Sequence, residues 1–319
     1  MATGSTPQFP TGPARVALAA EARLGEGPTW DAAAGRLLWV DILGAQVHSF
    51  DPATGADRAV RTGQHVGAAK PRAGGGLVAN LAEGVAVYDE TAHPAVPAEP
   101  ADGADAEATA ELHPSNWLLR RQDPDVRGND AAVDRFGTLW AGTMRYDEAP
   151  GGGLLQRLAA DGEVLQTVPD AAVSNGIGWS PDGRAMYYID SPTRRVDRFE
   201  VDPADGSAHR RSTLISLSAG TAGFPDGLAV DADGCLWVAL WDGWAVHRYT
   251  PDGRLDRVLE LPVARATACA FGGPELRDLY ITTARADLSP DALARQPWAG
   301  SLLVVPGAGR GLPAAAFAG

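Results

Sequence analysis

The sequence predicts an all-β protein, a six-bladed β-propeller, on three observations. A unit of two apolar runs joined by an Asp/Gly-rich turn recurs six times along the chain. The anchors of those units, Trp39, Val78, Trp140, Tyr188, Trp237 and Tyr280, fall roughly 40 to 60 residues apart, the length of a four-stranded blade. The chain also carries 38 Gly and 24 Pro, a content that suits many short strands joined by turns rather than helices. Radial repetition of blades leaves few strand edges exposed.

The elements follow in order. Residues 1–14 read as a loose N-terminal segment and 15–319 as one propeller domain. Arg15 to Ala19 reads as a first strand, and in a closed ring Val16 to Ala19 is expected to complete the blade that it belongs to. Glu26-Gly-Pro-Thr-Trp-Asp31 leads through a turn to Leu37–Ile42, then to Val47–Phe50 and the turn Asp51-Pro-Ala-Thr-Gly55. Equivalent units start at Val66, Asn129, Asn175, Asp226 and Thr267. Residues from about 91 to 116 are rich in Ala, Pro and acids, show no periodicity, and read as an inserted loop. Ser289-Pro-Asp-Ala-Leu-Ala-Arg295 has the cap, the early Pro and the acidic first turn of a short helix. Ser301 to Val305 is the last strand.

Composition narrows the function. The net charge is -13, and Lys70 is the single lysine. A chain this acidic lacks the clustered cations that nucleic-acid phosphates require. No run approaches the roughly 18 apolar residues of a membrane helix, and the N-terminus has no basic-then-apolar signal, so a cytoplasmic protein is expected. Cys235 and Cys269 sit inside apolar runs and read as small core residues, without zinc-type spacing. There is no Gly-rich phosphate loop. Ser174-Asn175-Gly176 does not make a nucleophile elbow.

Alignment of the units on their first turn brings out a constellation of oxygens. Glu26, Asn129, Asn175 and Asp226 each stand five residues before Asp31, Asp134, Ser180 and Asp231. In a propeller the first strand of each blade lines the central channel, so the entrances of these strands meet at one end of it. Two carboxylates and two amides there suit a hard divalent cation. Without a cation, Glu26 and Asp226 repel each other. Each residue alone is also a competent turn former, and only the shared register favours the metal reading. Arg127 lies two residues before Asn129 and shares its face on a strand. It is placed to hold a substrate hydroxyl or carboxylate. Asp147 falls in a loop after the third blade's Trp140–Met144 run, over the channel. His65, beside Val66, is a lesser candidate.

The residues that surround these positions resemble the SMP-30/gluconolactonase/LRE (regucalcin-like) family. The matching stretches are Gly25-Glu-Gly-Pro-Thr-Trp30, Arg127-Gly-Asn-Asp130, Trp140-Ala-Gly-Thr-Met144, Ser174-Asn-Gly-Ile-Gly-Trp-Ser-Pro-Asp-Gly183, Pro225-Asp-Gly-Leu-Ala-Val-Asp231 and Cys269-Ala-Phe-Gly-Gly273. They run from Gly25 to Gly273, and the resemblance extends over roughly residues 16 to 305. The resemblance implies a six-bladed propeller with one divalent metal in the channel, held by Glu26, Asn175 and Asp226. It implies substrate contacts from Arg127 and Asn129, with an acidic contact near Asp147. Two departures, Ala131 after Asn-Asp and Ala266-Thr-Ala268, fall near the channel mouth.

The activity that the resemblance implies is hydrolysis of a sugar-acid lactone, a small-molecule ester. Asp226 serves as metal ligand and as general base for water. Calcium is the first choice of metal, with zinc, manganese or magnesium as alternatives. The competing readings are a phosphotriester-hydrolase-like propeller and a non-catalytic calcium-binding propeller. A synthase of the strictosidine type is disfavoured by the full ligand set.

Overall fold

In the computed structural model, which describes residues 13–89 and 111–319, the described strands form six four-stranded antiparallel sheets. Five sheets take their strands consecutively, from the channel outward. The first strands of the blades are Gly25–Asp31, Val66–Pro71, Val126–Val133, Ser174–Trp179, Phe224–Val230 and Ala266–Gly272. Each packs beside the next, and the sixth returns beside the first, which closes the ring. In the sixth sheet the outermost strand is Arg15–Leu18, paired with Leu302–Val305. The N-terminal strand thus completes a blade as expected, and the structure shows that blade to be the sixth.

The loop read between 91 and 116 lies mostly outside the described residues. Its final residues are a correction. Asn116 begins the strand Asn116–Arg120, the fourth strand of the second blade. The predicted helix forms over Pro290–Arg295, and the Ser289 hydroxyl accepts the Ala292 N–H, which satisfies one of the helix's free donors. Among the described residues no helix is long and apolar enough to cross a membrane.

All six predicted anchors are buried. They sit on the second strand of each blade and fill the space between adjacent sheets, where large side chains alternate with small ones to reach interior density. In two blades the anchor is also tied to its turn. Asp134 Oδ2 accepts the Trp140 Nε1–H at 3.1 Å and the Arg157 Nε–H at 3.2 Å. Asp231 Oδ2 repeats this with Trp237 Nε1 and Arg248 Nε, both at 2.9 Å. The Asp-x-x-Gly turns therefore do more than reverse the chain. Their first carboxylates lock each turn to the sheet interior. Cys235 and Cys269 are free thiols in the core, as expected.

The C-terminal segment was not anticipated. After Val305 the chain runs across the turn side of the propeller. Ala232 N–H donates to Arg310 O in the fifth blade, and Phe317 then exchanges backbone hydrogen bonds with Pro71 and Ala73 in the second. Phe317 is fully buried in the cluster around Val78 and Leu139.

Candidate active site

The pairing of first with second strand is irregular at one place in every blade. The breaks fall between Glu26 and Thr29, Val66 and Ala68, Gly128 and Ala131, Ser174 and Ile177, Pro225 and Leu228, and Ala266 and Ala268. A bulge re-aims the side chains that it contains. Four of these bulges carry Glu26, Asn129, Asn175 and Asp226. The other two carry Gly67 and Thr267. Glycine at 67 has a steric reason, because a Cβ there would lie 2.3 Å from the Asn129 carbonyl oxygen. Gly27 takes φ +56°, a left-handed turn that lets its N–H reach back to Glu26 Oε2 at 3.0 Å.

All four oxygen-bearing side chains are buried. The two amides are linked to each other, and directed hydrogen bonds run from Arg127 through them to the backbone beside Asp226. Arg127 donates to Asn129 Oδ1 at 2.7 Å and to Gly128 O at 2.9 Å. Asn129 Nδ2 donates to Asn175 Oδ1 at 2.6 Å and to Ser174 O at 2.9 Å. Asn175 Nδ2 donates to Ser191 Oγ at 2.8 Å, and Ser191 Oγ donates to Pro225 O at 2.7 Å, next to Asp226. This chain of bonds leaves one Asn175 Oδ1 lone pair for a further partner. Asp226 Oδ1 is buried and has no hydrogen-bond partner.

The electrostatics match the geometry. Burial pushes the Glu26 carboxyl from 4.5 up to about 8, and the negative charge of Asp130 adds to the rise. Burial, then Glu26, then Asp130 push Asp226 well above the carboxylate range. Arg127 and Lys70 oppose this for Glu26, and Arg127 for Asp226, without cancelling it. Among the described residues no three His, Cys, Asp or Glu side chains gather as a metal cluster. The ring offers two carboxylates and amide oxygens instead. An orphaned Asp226 oxygen, a pair of buried carboxyls and a hydrogen-bonded Asn175 oxygen fit a hard divalent cation.

Two charged residues beneath the ring had no role assigned from the sequence. Lys70 is buried and donates to Thr29 Oγ1 at 2.7 Å and to Gly27 O at 3.1 Å. Burial raises the pKa of Asp130, and the Lys70 charge draws it back down. The available signal was a lone lysine following the apolar run Val66–Ala69. Both residues reach a cavity of about 480 Å³ that opens on the turn side of the channel, between Trp30, Phe136, Trp179 and Phe271. None of Glu26, Asn129, Asn175 and Asp226 lines that cavity.

Asp147 is not drawn into the ring. It is exposed and paired with Arg145, Nε to Oδ1 at 2.9 Å, because the chain bends outward after the strand Leu139–Arg145. The residue before it, Tyr146, is the one that meets the site. Its hydroxyl lies 2.9 Å from His65 Nδ1, and its ring centroid is 6.0 Å from the Arg127 guanidinium carbon.

The profile of the SMP-30/Gluconolactonase/LRE-like region matches residues 24–285. Regucalcin of Danio rerio is 35% identical over 302 residues, covering 93% of this chain and 95% of that protein. The 6-deoxy-6-sulfogluconolactonase of Pseudomonas putida is 35% identical over 277 residues, covering 87% and 89%. The crystal structure of a calcium-binding protein, regucalcin, from Agrobacterium tumefaciens superposes with a TM-score of 0.84 at 28% identity, covering 97% and 98%. The chain therefore belongs to the SMP-30/gluconolactonase/LRE-like family.

Proposed function

We propose that this protein is a metal-dependent hydrolase that opens a sugar-acid lactone. The observation that carries the reading is the unpartnered Asp226 Oδ1, buried beside Glu26 in a ring completed by Asn175. A buried carboxylate oxygen without a donor is costly unless a ligand completes it. The relative that bears the name of a sulfogluconolactonase supports the lactone as substrate class. The solved relative described as calcium-binding supports calcium as the cation.

Glu26, Asn175 and Asp226 would hold the cation. When bound, it supplies Lewis-acid polarisation of the lactone carbonyl and stabilises negative charge on that oxygen. The rest is done by the chain's own groups. Arg127 and Asn129 orient the ring hydroxyls, since both are locked by hydrogen bonds before any substrate arrives. Asp226, whose buried Oδ1 has no other partner, takes the proton of the attacking water. The protein works in the cytoplasm, where Cys235 and Cys269 stay reduced.

The test is acid release from a panel of sugar lactones by chelator-stripped protein, before and after calcium is restored. Activity should disappear on stripping and return with calcium, and Asp226→Ala should remain inactive while still folded. Undiminished hydrolysis by stripped protein overturns the metal role. Turnover of phosphotriesters but of no lactone overturns the substrate class.

A further inference from the structure

An exposed tyrosine on a loop normally turns its hydroxyl to water. Tyr146 does not. It is half exposed, yet its hydroxyl is tied at 2.9 Å to Nδ1 of a histidine 81 residues earlier in the chain. The rings of Tyr146 and His65 stand 5.7 Å apart. Tyr146 N–H donates to Asp125 O at 2.9 Å, so the backbone is held as well. His65 comes from the connection that enters the second blade, and Tyr146 from the loop after Leu139–Arg145 in the third. The pair therefore bridges two blades at the rim.

The pair is also continuous with the ring. The Tyr146 ring lies 6.0 Å from the Arg127 guanidinium carbon, Arg127 donates to Asn129, and Asn129 donates to Asn175. A line of directed contacts thus runs from the rim to the ring. At its outer end it offers a flat aromatic face, a hydroxyl and an imidazole nitrogen. An apolar ring face beside hydroxyl-binding groups is complementary to a polyhydroxylated carbon skeleton.

We propose that His65 and Tyr146 act as one specificity-determining pair, which binds the hydroxyls on the part of the lactone furthest from its reacting carbonyl. This inference rests on the lactonase reading. A site built to hydrogen-bond substrate hydroxyls discriminates against analogues that lack them. The pair should therefore favour a hydroxylated lactone over a bare ring of the same size.

The experiment compares D-glucono-1,5-lactone with δ-valerolactone, which has the six-membered ring and no hydroxyls. The proteins are the calcium-loaded wild type, Tyr146→Phe, His65→Ala and the double variant. Each single variant should lower kcat/KM for gluconolactone about tenfold, the loss of one hydrogen bond. The loss should appear in KM, with kcat within about twofold. kcat/KM for δ-valerolactone should stay unchanged. The double variant should be no worse than either single one, because the two residues act together. Equal losses on both lactones would show a purely structural role and overturn the inference, as would no loss on gluconolactone. Wild-type protein that opens neither lactone overturns the lactonase reading, and this inference with it. Wild type active on gluconolactone with an unmoved preference in the variants overturns the inference alone.

Discussion

The side-chain amide of Asn129 donates to the side-chain oxygen of Asn175 at 2.6 Å, although 46 residues and a blade boundary separate them. The contact shows that the register shared by the first strands brings side chains of neighbouring blades into direct contact. It also gives Asn129 two tasks. It faces Arg127 on one side and orients the Asn175 oxygen on the other.

Asn129→Ala should raise KM for a sugar lactone tenfold or more and destabilise the protein by about 1–3 kcal/mol. The stability cost follows from the unpaired Ser174 carbonyl and the partly unpaired Arg127 that the substitution leaves buried. Urea unfolding and steady-state kinetics measure the two effects. An unchanged KM would show that Asn129 is only a strut.

Metal-free protein should lose stability as the pH rises from about 4.5 to about 8. The Glu26 carboxyl is raised to about 8 by burial. Its stabilising proton is therefore fully present below the unfolded value of 4.5, and is lost as pH rises through the folded value. A tenfold difference in proton affinity between folded and unfolded chain is worth about 1.4 kcal/mol. Saturating calcium should flatten this slope, because it favours the ionised carboxylates. Denaturant midpoints at pH 5 and 8.5, with chelator and with calcium, decide the matter. Equal midpoints in chelator would contradict the burial argument.

Asp231→Ala should cost about 1–3 kcal/mol and leave calcium affinity unchanged. Asp231 is buried at the turn end of Phe224–Val230, where it holds Trp237 and Arg248. Its loss leaves the Trp237 indole N–H and the Cys235 N–H without their acceptor, while Arg248 keeps Asp256 as a partner. Thermal unfolding together with calorimetric titration of calcium tests both halves. A weakened calcium site would mean that the two ends of the strand are mechanically coupled.

Asp147→Ala should leave kcat/KM for gluconolactone within about twofold. Its carboxylate is exposed and engaged with Arg145, and such surface pairs contribute little. A larger loss would mean that the loop rearranges to bring Asp147 over the bound substrate.

The blade count was legible because each blade repeats one grammar, an apolar run, an Asp/Gly turn and a large anchor. Trp39, Trp140 and Trp237 bury the same faces that their spacing implied. The ring was legible because four polar residues kept one distance from their turns. Tyr146 was not, because it stands in the turn after the strand Leu139–Arg145, where strand alternation no longer tells which side chain faces the site. Lys70 was missed because the apolar run before it is a weak signal that names no partner for a buried lysine. Its partners Gly27 and Thr29 lie more than 40 residues away.

The sequence by itself determined the repeat, the strand entrances and the kinds of atom that each entrance presents, since these follow from local propensity and periodicity. Only the tertiary structure decided which charges meet. Glu26 and Asp226 belong to different blades, and the closed ring of first strands buries both and brings the charge of Glu26 to bear on Asp226. Ring closure removes water from the carboxylates and brings like charges together. That cost belongs to no single residue.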